Sequence, residues 1–221
     1  MNDSKCIICG ADTAPWVSPG VKCNECGHGF VNCAPIPEAY ADDSFIKLYD
    51  HLPPREAIKM GKRWDIIKRH APEAETLLDY GCGMNQFLIS APKDHGFKKL
   101  VAFDTNWRSG FCDERVLDKE YDVLTAWHVF EHFHDPRILL ERVKHKYLFL
   151  MVPWIEYVTD KEIPVWPHFD HRIHFNFFTR KSMEIFLNDY VILEENFDDG
   201  ELSYPPHPEW IVTIAAKRIG G

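Results

Sequence analysis

"LLDYGCGMNQFL", Leu77 to Leu88, decides how this chain is read. Its apolar start suits a buried strand, Gly81 and Gly83 break that strand, and the residues after them suit a helix. A glycine turn between strand and helix lets backbone come close to a ligand, and the helix start offers unpaired N–H groups. The next apolar run, "KLVAFDTN", ends at Asp104. Its distance from Gly83 is about the twenty residues expected of an acid that binds ribose hydroxyls. Gln86 stands where a dinucleotide loop needs a third glycine. Asp79, two residues before Gly81, would repel a pyrophosphate and attract a cation. Asn85 is the side chain best able to take the left-handed backbone of a glycine turn.

Away from that loop the chain alternates. Strands are predicted at "TLLDYG", "KLVAFDTN", "YDVLTAWHV", "YLFLMVP", "VILEENFDD" and "EWIVTIAAKR". Helices are predicted at "NQFLISAPKDHG", at "DPRILLERVKHK" with Asp135 as N-cap, and at "TRKSMEIFLNDY" with Thr179 as N-cap. Apolar strands alternating with helices predict an α/β fold with a mostly parallel sheet. Residues 44–71 read as helical, split by Pro53 and Pro54. Three units follow: 1–40 a cysteine-rich module, 41–74 a helical lead-in, 75–221 the α/β domain.

The 221 residues are 45% hydrophobic and 14% aromatic, enough for one sizeable domain with a small appendage. The formal net charge of −9 argues against a large nucleic-acid footprint. No apolar run approaches a membrane span, and the polar start lacks a signal-peptide pattern, so a cytoplasmic protein is expected.

Of seven cysteines, four form two matching pairs, Cys6–Cys9 in "CIICG" and Cys23–Cys26 in "CNECG". Each pair is followed by a glycine that eases the turn aiming both sulfurs at one point. Two CxxC knuckles predict a structural Zn²⁺ site with four thiolates and no open position. His28 and Cys33 lie nearby, but the two pairs complete the set.

"LLDYGCG" with Asp104, then "YDVLTAWHVFEHFHDP", then "YLFLMVP", resembles the class I S-adenosylmethionine-dependent methyltransferases, in the branch with a "D-x-G-C-G" loop and an "E-H-…-D-P" segment. The likeness covers about residues 75 to 217 and implies a Rossmann-like fold. It implies that Asp79 steers the amino group of S-adenosyl-L-methionine, that Gly81, Gly83 and Asn85 shape its loop, and that Asp104 receives its ribose hydroxyls. Trp127 and His128 would lie beside the sulfonium. Two departures stand out: Asn85 where the family has glycine, and a gap between Asp104 and Tyr121 with little room for a third strand and its helix. Asp113 would sit near the adenine.

Of twelve histidines, six fall in two groups, "WHVFEHFHDP" and "PHFDHRIHFNFFTR". His128, His132 and His171 are the candidate bases or acceptor contacts, since imidazole titrates near neutral pH. For the "E-H" pair, Glu131 and His132, a structural role that holds loops by hydrogen bonds is the leading reading. The spacing of His168, His171 and His174 suggests a metal, but fits neither a strand nor one helix face. The long aromatic segment from Pro153 to His171 reads as an acceptor lid or as a structural cover. Tyr49 and Arg63 are candidates to close over the cofactor.

The expected function is methyl transfer to a small-molecule acceptor, such as a sugar or nucleotide derivative. The alternatives are a nucleic-acid or protein modifier that uses the zinc module for recognition, and a non-catalytic binding protein of the same fold. Oligomeric state is not legible.

Overall fold

The computed structural model describes residues 5–31, 54–106, 109–198 and 208–220. Tyr49, Cys33 and the helical reading of 44–53 lie outside the described residues.

The main sheet has six strands, numbered here along the chain after three short N-terminal ones (β1 Thr13–Pro15, β2 Gly20–Cys23, β3 Gly29–Val31). They are β4 (Thr76–Tyr80), β5 (Lys99–Phe103), β6 (Glu120–Trp127), β7 (Lys144–Pro153), β9 (Tyr190–Asn196) and β10 (Ile211–Arg218). β8 (Asn176–Phe177) belongs to a second sheet. The order is β5-β4-β6-β7-β10-β9, with β5, β4, β6 and β7 mutually parallel and β10 antiparallel to both its neighbours, so that β9 runs in the same direction as β7. The predicted α/β class and mostly parallel sheet are therefore present.

Side chains along each strand alternate between two cores, as the two-residue strand period requires. Leu77, Val123, Phe149 and Met151 face one side, where Trp64 and Ile67 of α1 (Pro54–His70) cover them. Leu78, Leu124, Leu148 and Leu150 face the other, with Leu139 of α3 (Arg137–Arg142) and Met183 and Phe186 of α4 (Arg180–Phe186). The cofactor-loop helix, α2, is one turn, Gln86–Ile89.

Several boundaries differ from expectation. α3 ends at Arg142 because Val143 is buried and extended, so "VKHK" is mostly β7. Its N-cap is Pro136; Asp135 instead accepts from the Arg137 N–H at 3.0 Å. Thr179 does cap α4, in a reciprocal box with Ser182. Between Asp104 and β6, the described residues form one 3-10 turn, Glu114–Val116, and no strand. β5 is thus the sheet edge, as the short gap implied.

β1, β2 and β3 make an antiparallel ribbon that continues through β8. Arg137 donates from both guanidinium arms to the Ile7 and Ile8 carbonyls of the first knuckle. Thr179 Oγ1 donates to the Cys26 carbonyl at 2.6 Å, and the buried His28 ring meets Asn176 Oδ1 at 3.0 Å. The 153–171 segment is built into this junction: Ile155, Val158, Ile163 and Trp166 are buried in one cluster with Val31 and Phe177. Its greater part is a cover rather than a lid. No helix among the described residues is long and apolar enough to cross a membrane.

Candidate functional site

At the carboxyl ends of β4, β5 and β6 the sheet opens into a polar corner. Asp79 is wholly buried there and accepts from Thr125 Oγ1 at 2.7 Å. Burial pushes its carboxyl up to about 7, against the pull of Thr125 and Arg63, with Asp104 adding to the rise. Gly81, Gly83 and Asn85 all have positive φ, at 72°, 53° and 60°. Asn85 thus takes the backbone conformation that a glycine would.

The two glycines differ in purpose. A Cβ on Gly83 would meet nothing within 4 Å, so that side of the loop is open. A Cβ on Gly81 would lie 2.5 Å from Val129 Cγ2. Gly81→Ala should therefore destabilise the fold by about 2–4 kcal/mol, combining a core clash with a left-handed backbone. Thermal melting is the check, and Val129→Ala in the same chain should recover only the clash. A melting temperature unchanged by Gly81→Ala would refute this packing.

Asp104 ties the loop to the next strand. Its Oδ2 accepts from the Gly83 N–H at 2.8 Å and its Oδ1 from the Asn106 N–H at 2.7 Å. Asp113 is elsewhere engaged, paired with Arg115 at 2.7 Å on the surface. Trp127 ends β6 under Arg63, whose guanidinium lies 5.0 Å from the ring centroid. Arg63 itself is 8% exposed. Two buried polar atoms here, Trp127 Nε1 and Asn85 Oδ1, have no hydrogen-bond partner among the described residues. A polar ligand on the loop would meet both needs, so the residues present fit a cofactor such as S-adenosylmethionine.

His128 follows Trp127 with φ at 57°, a strained conformation for a non-glycine residue. Its N–H donates to the Met151 carbonyl at 2.9 Å, and its Nδ1 lies 3.0 Å from Oε1 of the fully buried Glu131. The His168 ring stacks on it at 6.2 Å. Burial lowers His168 to about 3. His132 and His174 meet edge to face at 4.8 Å. His171 stands apart on an exposed turn. Of the three histidines singled out from sequence, His128 and His132 therefore share one corner and His171 does not line it. The Glu131–His128 pair and the His168 stack were not foreseen; the three-residue spacing of His128 and Glu131 was the available signal.

The four cysteines form a second candidate centre. Their sulfurs lie within 4.8 Å of one another, with Cys6–Cys26 at 3.7 Å and Cys9–Cys23 at 3.4 Å. Tetrahedral Zn–S bonds of 2.3 Å need sulfurs about 3.8 Å apart, so the set fits zinc. Gly10 and Gly27 take positive φ behind their knuckles. Burial raises the Cys23 thiol, but N–H groups of Cys26 and Glu25 and the Cys9 thiol bring it down to about 7.

Together the sheet order and the loop define the class I methyltransferase fold. A methyltransferase-domain family model matches residues 49–190, and the chain belongs to that family. Solved structures agree on the fold at low identity. 1,6-didemethyltoxoflavin-N1-methyltransferase from Burkholderia thailandensis, with S-adenosylhomocysteine bound, is 13% identical with TM-score 0.55, over 93% of this chain and 98% of that one. The magnesium protoporphyrin IX methyltransferase of Synechocystis PCC 6803 is 11% identical with TM-score 0.55, over 82% and 95%. The small RNA methyltransferase HEN1 is 16% identical with TM-score 0.53, over 77% of this chain and 26% of that one. No curated protein matches the sequence significantly.

Proposed function

We propose that this protein transfers a methyl group from S-adenosylmethionine to a small-molecule acceptor. The observation that carries the reading is the corner of β4, β5 and β6. There a buried acid, an open glycine loop tied to Asp104, and the unpartnered Trp127 and Asn85 atoms converge. S-adenosylmethionine supplies an electrophilic methyl on a sulfonium. Asp79 would hold its amino group, Asp104 its ribose hydroxyls, and the loop at Gly81, Gly83 and Asn85 its polar backbone. Arg63, over Trp127, would close the site. His128 and His132 would face the acceptor, His128 held by Glu131 and available to take a proton; His171 would touch a bulky acceptor from the rim. The work is mostly positioning, because an in-line approach needs little else. Zn²⁺ on Cys6, Cys9, Cys23 and Cys26 would be structural, in a module (1–40) that precedes a lead-in (41–74) and the α/β domain (75–221) and meets that domain at β8. The net charge of −9 supports a small acceptor over a nucleic acid. A cytoplasmic setting suits the free thiols.

Calorimetric titration with S-adenosylmethionine tests the reading, and pH gives it a signature. Asp79 holds its proton up to about pH 7 in the ligand-free fold. A cation beside it favours the charged form, so binding should release a proton. Affinity should be roughly five- to tenfold weaker at pH 6 than at pH 7.5. In the ligand-free protein the sign is opposite. The stability from this raised carboxyl is full below about pH 4 and is lost as the pH rises to about 7. No binding at either pH would overturn the methyltransferase reading. Binding without proton release would remove Asp79 from the site.

A further inference from the structure

We infer that Glu131, His132 and His174 form a second metal site, for a divalent first-row transition ion, distinct from the four cysteines. One ligand atom from each lies within 4.8 Å of the other two. In the sequence His174 groups with His168 and His171, while Glu131 and His132 stand apart as a local pair suited to a base or to a structural role. The fold instead brings His174 to Glu131 and His132, because the Phe175 N–H donates to the Glu131 carbonyl at 2.6 Å.

Two features suit a metal better than a hydrogen-bonded cluster. First, both imidazoles are oriented from behind. His132 Nδ1 lies 2.8 Å from the Ile173 carbonyl, and His174 Nδ1 lies 2.6 Å from the His168 carbonyl. A carbonyl only accepts, so each Nδ1 carries the proton and each Nε2 presents a lone pair. That is the backing by which proteins fix a metal-binding histidine tautomer. Second, Glu131 is fully buried, with Oε1 held by His128 and Oε2 without any partner. A buried carboxylate oxygen left unpaired is costly, and a cation between it and two lone pairs removes that cost.

Two imidazoles and a carboxylate suit Zn²⁺, Co²⁺, Mn²⁺ or Fe²⁺. Three protein ligands leave at least one coordination position open, unlike the four-thiolate set. Glu131 links the site to His128 and so to the end of β6. That the open position takes an acceptor oxygen rests on the methyltransferase reading; the binding of the ion does not.

Cobalt distinguishes the two centres. Full-length protein carrying one equivalent of zinc, stripped of looser metal by a weak chelator, is titrated with Co²⁺ and followed by calorimetry and absorbance. One further equivalent should bind and give visible d–d bands, with no growth of the near-ultraviolet thiolate charge-transfer band. Glu131→Gln and His174→Gln should each weaken that binding at least tenfold. Melting curves report whether each variant folds, and because His174 is half-buried where Glu131 is fully buried, the second variant is the safer one. The inference is overturned if no second equivalent binds, or if either folded variant binds Co²⁺ as the parent does. It survives the failure of S-adenosylmethionine binding, which would overturn the functional reading alone.

Discussion

Asp104→Ala lowers the affinity for S-adenosylmethionine by roughly 30- to 1000-fold. Hydrogen bonds to a charged group each contribute about 1.5–3 kcal/mol, and one carboxylate here serves several donors. In the ligand-free protein it already accepts from Gly83 and Asn106. Each oxygen keeps a second lone pair for a ribose hydroxyl. The alanine variant therefore loses the ribose contact and the tether that shapes the loop. Asp104→Asn should fall between the two, since its amide oxygen can replace only one acceptor. Titration calorimetry is the measurement, with far-ultraviolet dichroism to show an intact fold. An affinity equal to that of the parent would mean that the cofactor lies elsewhere.

Removal of the proposed structural zinc, or Cys26→Ser, should lower the melting temperature by about 10–20 °C. Structural zinc contributes on the order of 10 kcal/mol to small cysteine modules. Only about half of that need be lost here to give the shift for a chain of this size. Strands of three and four residues cannot bury enough surface to persist unaided. Cys6, Ile8, Cys23 and Cys26 also belong to the same buried cluster as Leu148 and Phe178, so the damage reaches the main domain. Chelator with and without added zinc, read by melting and by limited proteolysis near residue 31, is the check. Insensitivity to both would exclude a bound structural metal.

Much of the fold was legible because the parallel strands are apolar on both faces. Leu77–Leu78, Val123–Leu124 and the Tyr147–Val152 run declare themselves without any neighbour in view. Thr179 was legible as a cap because its hydroxyl acts locally, on Ser182. The backbone of Asn85 was legible for the same reason: a left-handed turn is a property of the residue itself. Partners distant in sequence were not. Nothing in "CIICG" announces that Arg137 will reach its carbonyls, and nothing in "NFF" announces that Asn176 will meet His28. Glu131 and His132 read as a local pair, since the carbonyls that orient the rings come from residues 168 and 173. The Pro153–His171 segment left lid and cover undecided because its burial depends on packing against the ribbon.

β8 gives the N-terminal ribbon a reach beyond its own size. Val31 donates to the Phe175 carbonyl at 3.0 Å, and Phe175 donates in turn to Glu131. Asn176, paired with the ribbon at Phe30, also donates to the Phe130 and Phe133 carbonyls. The thiolate knuckles and the histidine corner are thus mounted on one bracket. A chain shortened to begin after Val31 keeps every residue of the Asp79–Asp104 corner. It loses the fixture against which Glu131, His132 and His174 are aligned.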